Sequence, residues 1–269
     1  MRFLSEKFSL NGIESDDMGV ILVTFEDDII QDFGSIYNQN LIFESNLDNR
    51  PFYSNDAKEG EDIILNLLLI DSDGVTPATW YGEEVNDGVT PATWGGEEVN
   101  KIANWLISDN FQPFISEDNA DVVYYIKCTN IVKKFTREMK GYLECTFKLF
   151  NNTAYYRSYI AFEVDGTKEV YLENPSNLNL DYKPIIRITN NGSESNTISL
   201  NSTELIIESL ELGNTVVIDN KMKTVNSLDG RNKLFCCNRK WLCLKPGDNR
   251  ITVTGKCKVE ILSEFPMVI

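Results

Sequence analysis

The side chains best able to do chemistry in this chain are its six cysteines, Cys128, Cys145, Cys236, Cys237, Cys243 and Cys257. Four of them fall between Cys236 and Cys257, but no C-x-x-C pair is present to form the chelating turn of a zinc ribbon. The chain has no histidine, so a mixed Cys/His metal site cannot be completed. The same absence removes the usual general base near neutral pH, and with it every Ser-His or Cys-His nucleophile. Carboxylate or lysine chemistry is what remains. With 41 acidic residues some carboxylate pairs must arise by chance, so their presence does not argue for a glycosidase. The expectation is free thiols, no metal, no cofactor and no enzymatic activity. A disulfide framework suits short secreted chains. This one is long, and its opening MRFLSEKFSLNG puts Glu6 and Lys7 where an export signal needs apolar residues.

The carboxylates are unevenly spread. Residues 1–100 hold 21 Asp and Glu against four Lys and Arg, a net of −17, while the rest of the chain carries +1, together making the total of −16. A solvated acidic surface that keeps the protein soluble accounts for this simply. Specific nucleic-acid binding by the acidic part is excluded on charge, since phosphate contacts need Lys and Arg. A membrane span is also excluded, because the most apolar segment, Ile63 to Ile70, is far shorter than the roughly 18 residues a span requires.

Aromatic residues cluster in a tandem repeat. Residues 73–86, DGVTPATWYGEEVN, are followed at once by DGVTPATWGGEEVN, differing only where Tyr81 becomes Gly95. Two copies are too few for a solenoid, which needs about three. The second copy runs into Lys101-Ile102 and completes a helix, whereas the first runs into the breaker Asp87-Gly88 and is expected outside the core. Such a loop is cheap to lengthen, at about 0.6 kcal/mol of closure entropy per doubling. Simple tolerance is one reading. The other makes Trp80, Tyr81 and Trp94 an exposed interaction loop, because such side chains dominate interface energetics.

The elements that position these residues are mostly strands. Phe8 and Leu10 alternate with polar neighbours, Asn11-Gly12 suits a turn with positive φ, and Gly19 to Phe25 reads as a buried strand. Leu41 to Phe43 and Asp62 to Ile70 continue the pattern, the latter apolar on both faces and so expected to be covered on both. Val99, Ile102, Trp105 and Leu106 recur at spacings of three and four, which predicts one helix over about 96–108, with Thr93 as its N-cap. Val122 to Cys128, Tyr142 to Phe150 and Tyr155 to Val164 are further strands. Asn174-Pro175-Ser176-Asn177 is a turn cluster, and the domain join is placed there, giving domains 1–173 and 174–269. Beyond it, Pro184 to Ile188, Asn196 to Leu200, Glu204 to Glu208, Thr215 to Ile218, Trp241 to Leu244, Arg250 to Thr254 and Lys258 to Leu262 are short runs at the spacing of a β-sandwich.

In their order along the chain, several segments resemble the distal tail proteins of siphophages, the phage tail family. They are Phe8-Ser9-Leu10-Asn11-Gly12-Ile13 with Ser15 to Val20, the helix end Ile102-Ala103-Asn104-Trp105-Leu106, and Asn174-Pro175 with Lys183 to Ile188. Val216 to Asp219, Asn226 to Gly230 and Leu244 to Ile251 complete the set. The resemblance spans nearly the whole chain. It implies a mainly β protein: an N-terminal β-rich, ring-forming domain with one helix, then a galectin-like or carbohydrate-module-like β-sandwich. It also implies a hexameric ring at the virion tail tip, or baseplate, assembled in the host cytoplasm, joining the tail tube protein to the tail-tip or baseplate proteins and passing DNA through its lumen. On that reading Asp27, Asp28 and Glu59 are expected in an acidic lumen that repels the DNA backbone. The alternative is a carbohydrate-binding module of a tail fibre or surface protein, gripping host saccharide through Trp241 or Tyr182.

Overall fold

The computed structural model describes Phe3 and residues 5–23, 29–38, 62–70, 96–136 and 141–268. These residues are mainly β with a single α-helix, and they fall into two compact units that part between Ala154 and Tyr155. One very long strand, β8, carries the chain from the first unit into the second. Its end at Asn174 coincides with the turn where the sequence places the join. Sequence texture changes where tight turns begin, whereas the units part where the strand leaves one hydrophobic core and enters another.

The first unit opens with β1 (Phe8–Leu10) and β2 (Ile13–Glu14), a hairpin closed by Asn11 and Gly12 at φ 54° and 76°. Two successive positive φ values match the right-handed strand twist, and Asn-Gly is the pair that adopts them at least cost. After β3 (Val20–Val23) come β4 (Ile29–Asn38), β5 (Asp62–Leu69), the helix α1 (Gly96–Leu106), β6 (Gln112–Ser116), β7 (Val122–Thr136) and β8 (Gly141–Asn174). The strands run β3-β5-β8-β7-β6-β1-β2, and β4 pairs with the distal part of β7. The last five residues of the second repeat copy, Gly96 to Asn100, are the first five of α1. The first copy, Thr93 and Leu41 to Phe43 lie outside the described residues.

α1 buries Val99, Ile102, Ala103, Trp105 and Leu106 and lies against β7. The Trp105 ring stacks on Phe8 at 5.5 Å, and its indole N–H donates to the Leu10 carbonyl at 3.2 Å. Phe8 in turn stacks on Phe114 at 5.2 Å, so one aromatic column ties helix, hairpin and β6 together. The expectation that Asp62 to Ile70 is covered on both faces holds only for its second half. Leu67, Leu68 and Leu69 are all buried, but Ile64 is 58% exposed, with the Asp62–Lys148 ion pair two residues away on the same face.

The second unit takes β8 from Tyr155 onward and adds β9 (Ile185–Asn190), β10 (Ser195–Leu200), β11 (Thr203–Glu208), β12 (Thr215–Asp219), β13 (Thr224–Ser227) and β14 (Gly247–Val268). β14 spans what reads in sequence as two strands. Its first part, Ile251 to Thr254, pairs with β10, and its second, Cys257 to Leu262, pairs with β9. The result is two branches, β11-β10-β14 and β13-β12-β9-β14, around one core. That arrangement is a β-sandwich in which a strand changes sheet at a bend. Trp241 to Leu244, expected as a strand, forms no ladder. The Leu242 N–H is taken by the buried side-chain oxygen of Asn220 (2.8 Å), and Leu244 makes a single bridge to Tyr182.

Buried asparagines hold the loops of this unit. Asn220 also donates to the Pro184 carbonyl at 2.7 Å. Asn249 accepts from the Lys245 N–H and donates to the carbonyls of Lys245 and Gly247. Where the chain leaves the ladder its N–H and C=O groups still need partners, and an amide side chain supplies both kinds.

Candidate functional site

The second unit carries a cleft of about 530 Å³ on the outer side of its β8-β14-β9-β12 sheet. Its walls are Arg157 to Tyr159 of β8, the lead-in to β9 from Tyr182 to Ile185, the turn after β12, and Leu262 to Glu264 of β14. Strand alternation turns Arg157 and Tyr159 outward together, and Glu260 and Glu264 face them from the neighbouring strand.

Side chains lock this face in place. Arg157 pairs with Glu264 at 2.9 Å, and the Tyr159 hydroxyl donates to Glu260, which Lys258 also contacts at 3.2 Å. The Tyr159 hydrogen bond, with help from Lys258, holds the Glu260 carboxyl below its ordinary range, and the same bond raises the tyrosine. Asp219 accepts the backbone N–H groups of Lys221 and Met222 at 2.9 and 2.8 Å, the turn chemistry an aspartate offers at a strand end. Burial lowers the Lys221 ammonium; Asp219 opposes that shift and the like charge of Lys183 adds to it.

Of the two aromatics expected to grip sugar, one is buried and the other partly so. Tyr182 is 7% exposed, meets Phe265 edge-on at 4.8 Å, and accepts the Glu264 N–H through its hydroxyl at 2.8 Å. Trp241 is partly buried against the core. The exposed ring on this face is Tyr159, at 58%. It lies in the run Tyr155 to Val164, where a spacing of two puts Arg157 and Tyr159 on one side. Trp80, Tyr81, Trp94, Asp27, Asp28 and Glu59 lie outside the described residues.

All six cysteines are free, and five of them are buried. Among the described residues, no three His, Cys, Asp or Glu side chains gather so as to hold a metal ion. Burial pushes the Cys128 thiol up to about 12 and Cys257 to about 11, and raises Cys145 well above its ordinary value. These thiols stay protonated where an unfolded thiol, with its ordinary value of 9.0, already ionises. Their contribution to stability is therefore complete below pH 9 and is lost as pH rises through about 11 and 12. Denaturant midpoints should fall between pH 8 and pH 10.5 (about those values), and a serine at Cys128 should flatten the fall. Unchanged midpoints across that range would refute the account.

No described helix is long and apolar enough to cross a membrane. Residues 3–148 match the phage tail protein N-terminal domain, and residues 154–263 match the phage tail C-terminal domain. The SPbeta prophage-derived protein YomH of Bacillus subtilis (strain 168) is 23% identical over 274 residues, covering 96% of each chain. Among solved structures, the SPP1 Dit (gp 19.1) protein is similar with a TM-score of 0.53 at 12% identity, over 96% of this chain and 98% of its own. That protein is described as a paradigm of the hub adsorption apparatus in phages that infect Gram-positive bacteria. The chain belongs to the phage tail protein family, with its N-terminal and C-terminal domains in order, and it has the fold of the distal tail proteins.

Proposed function

We propose that this chain is a non-enzymatic, structural ring component of the distal tail. Six copies close a ring through their N-terminal units, the ring joins the tail tube to the tail-tip or baseplate proteins, and DNA passes through its lumen on ejection. The observation that carries this reading is the extent of the likeness to SPP1 Dit. It runs through both units, which supports one shared plan over a single borrowed domain. Electron microscopy of the purified protein tests it. The expected images show six-fold rings, with a mass by light scattering about six times the 30.6 kDa of the chain. A protein that stays monomeric at every concentration, even with tail tube protein added, would sink it.

In such a ring the excess of carboxylates in residues 1–100 supports an acidic lumen containing Asp27, Asp28 and Glu59, along which phosphate slides without sticking. Exchanging all three for lysine should slow genome ejection at low salt by about tenfold and less at high salt. An unchanged rate removes these residues from the lumen. Trp80, Tyr81 and Trp94 are assigned to a contact with a tail neighbour, and particles lacking residues 73–86 should assemble poorly. Full infectivity of that deletion would leave the repeat as a tolerated insertion.

A second reading is favoured by the cleft with its exposed Tyr159: the sandwich also binds host cell-wall saccharide. Retention of the purified protein on host cell walls tests it, and equal retention of Tyr159→Ala would count against it.

A further inference from the structure

We propose that the free edge of β8 in the second unit is a docking site for an extended segment of a partner protein, one that alternates Lys or Arg with apolar residues. The segment adds to the sheet as a further strand. The inference is independent of the ring and of the saccharide reading.

Three observations carry it. First, beyond Ala154 β8 has a described strand on one side only. β14 follows it there, with Arg157 meeting Glu264, Asp165 meeting Lys256, Thr167 meeting Thr254 and Glu169 meeting Arg250. The strands beside its earlier part do not reach this far. β5 begins at Asp62, opposite Lys148. β7 runs back along β8, with Thr129 bonded to the Thr146 carbonyl and Lys134 to Glu144, so its first residue, Val122, comes level with the boundary between the units. From Tyr155 to Asn174 one row of backbone N–H and C=O groups is therefore unclaimed by any described strand, over several times the ordinary strand length of about 5–6 residues. The other two ends of the sandwich are covered by the chain itself. Asn238 donates to the Ile206 carbonyl of β11, and Lys233 donates to the Val225 carbonyl of β13. On β8, the Lys168 ammonium reaches the Glu163 carbonyl at 3.4 Å, a lysine of the kind that blunts a bare edge.

Second, the inner face of this stretch is incompletely covered. Tyr156, Ile160, Phe162 and Val170 pack against the core of the sandwich but are only partly buried. On β9 and β14, which have neighbours on both sides, Ile186, Ile188, Val259 and Ile261 of the same core are at most 1% exposed. A further strand would lay its own inward side chains beside the four on β8.

Third, the outer face selects the occupant. Its exposed charged side chains are Arg157, Glu163, Asp165, Glu169 and Glu173. Arg157, Asp165 and Glu169 are paired with β14, whereas Glu163 and Glu173 have no side-chain partner among the described residues. Laying a second copy of β8 along the edge would set carboxylate against carboxylate, which cross-strand pairing penalises. A strand with Lys or Arg on that face and apolar residues on the other answers both sides of β8 at once, and its main chain supplies the missing ladder.

Hydrogen exchange and peptide binding on the full-length protein test the proposal. The probes are capped peptides: alternating Lys and Val, alternating Glu and Val, and the Lys/Val peptide methylated at every backbone nitrogen. In dilute protein the unclaimed amides between Tyr155 and Asn174 should exchange quickly, and the Lys/Val peptide should bind and slow them. E163Q/E173Q should bind it about three- to tenfold more weakly, and E163K/E173K should prefer the Glu/Val peptide. Both positions are exposed, so these variants should melt as wild type does. Amides already protected in dilute protein would overturn the proposal, because the edge would then be occupied by the chain itself. Protection that appears only at high concentration, with a doubled mass, would replace the partner segment with a second copy. Equal binding of the methylated peptide would reduce the contact to charge and overturn strand addition. Equal binding of Glu/Val to wild type would overturn the cationic class, and binding of no peptide would overturn the site.

Discussion

Replacing Trp105 with alanine should cost the first unit about 3–5 kcal/mol, the range for truncating a large buried aromatic. Trp105 is 8% exposed, stacks on Phe8, and donates its indole N–H to the Leu10 carbonyl. Removing it leaves a cavity between α1 and the β1-β2 hairpin and strips a buried carbonyl of its donor, so packing and polar losses add. Because a domain of this size holds only about 5–15 kcal/mol in total, the variant should be close to unfolding at 37 °C. Trp105→Phe separates the two causes. It keeps most of the stacking and loses the hydrogen bond, so its cost should be about 1–2 kcal/mol. Urea titration followed by tryptophan fluorescence and circular dichroism measures both. A midpoint for the alanine variant equivalent to less than about 1 kcal/mol would show that the helix is held by something other than this column.

That column was legible in part. The spacing of Val99, Ile102, Trp105 and Leu106 defines a helix and its buried face, and the observed helix, Gly96–Leu106, agrees. Asn11-Gly12 likewise announces its hairpin. Both signals are local, arising from a helical period and a turn that few residue pairs can make. What Trp105 meets is not local. Its partners Phe8 and Leu10 lie more than ninety positions away, and no pattern in either segment names the other.

The same limit governed the cleft. Alternation along β8 shows that Arg157 and Tyr159 share a face, but Glu260, Glu264, Lys183 and Lys221 reach that face from three other stretches of chain. Tyr182 and Trp241 are aromatic residues in a sandwich, and only the packing reveals that Tyr182 meets Phe265 in the core and that Trp241 is partly buried against it. Asparagines in turn clusters pass for loop filler in sequence. Asn220 instead substitutes for a ladder, satisfying Leu242 and Pro184 at once, and so turns an apparent strand at Trp241 to Leu244 into an irregular segment.

The bend in β14 makes the sharpest demand on a single residue. Gly255 stands at φ 140° between the part of β14 that pairs with β10 and the part that pairs with β9. On the other side β14 runs beside β8, where Thr167 meets Thr254 and Asp165 meets Lys256, so Gly166, at φ 98°, bends at the same level. A side chain at Gly255 is resisted twice. The backbone occupies a region open essentially to glycine, and a Cβ would collide with the Asn196 amide and crowd the Ser195 carbonyl. Gly166 meets only the first objection, since a Cβ there has nothing within 4 Å. Gly255→Ala should therefore cost about 2–4 kcal/mol and Gly166→Ala about 1–2 kcal/mol, the difference being the collision. A double-mutant cycle makes the test specific. If the Asn196 side chain is what the methyl strikes, Asn196→Ala should cost less in the Gly255→Ala background than in wild type, with a coupling of about 1 kcal/mol or more. Additive losses, or equal losses at the two glycines, would mean that the bend tolerates a side chain and that the change of sheet is set elsewhere along the strand.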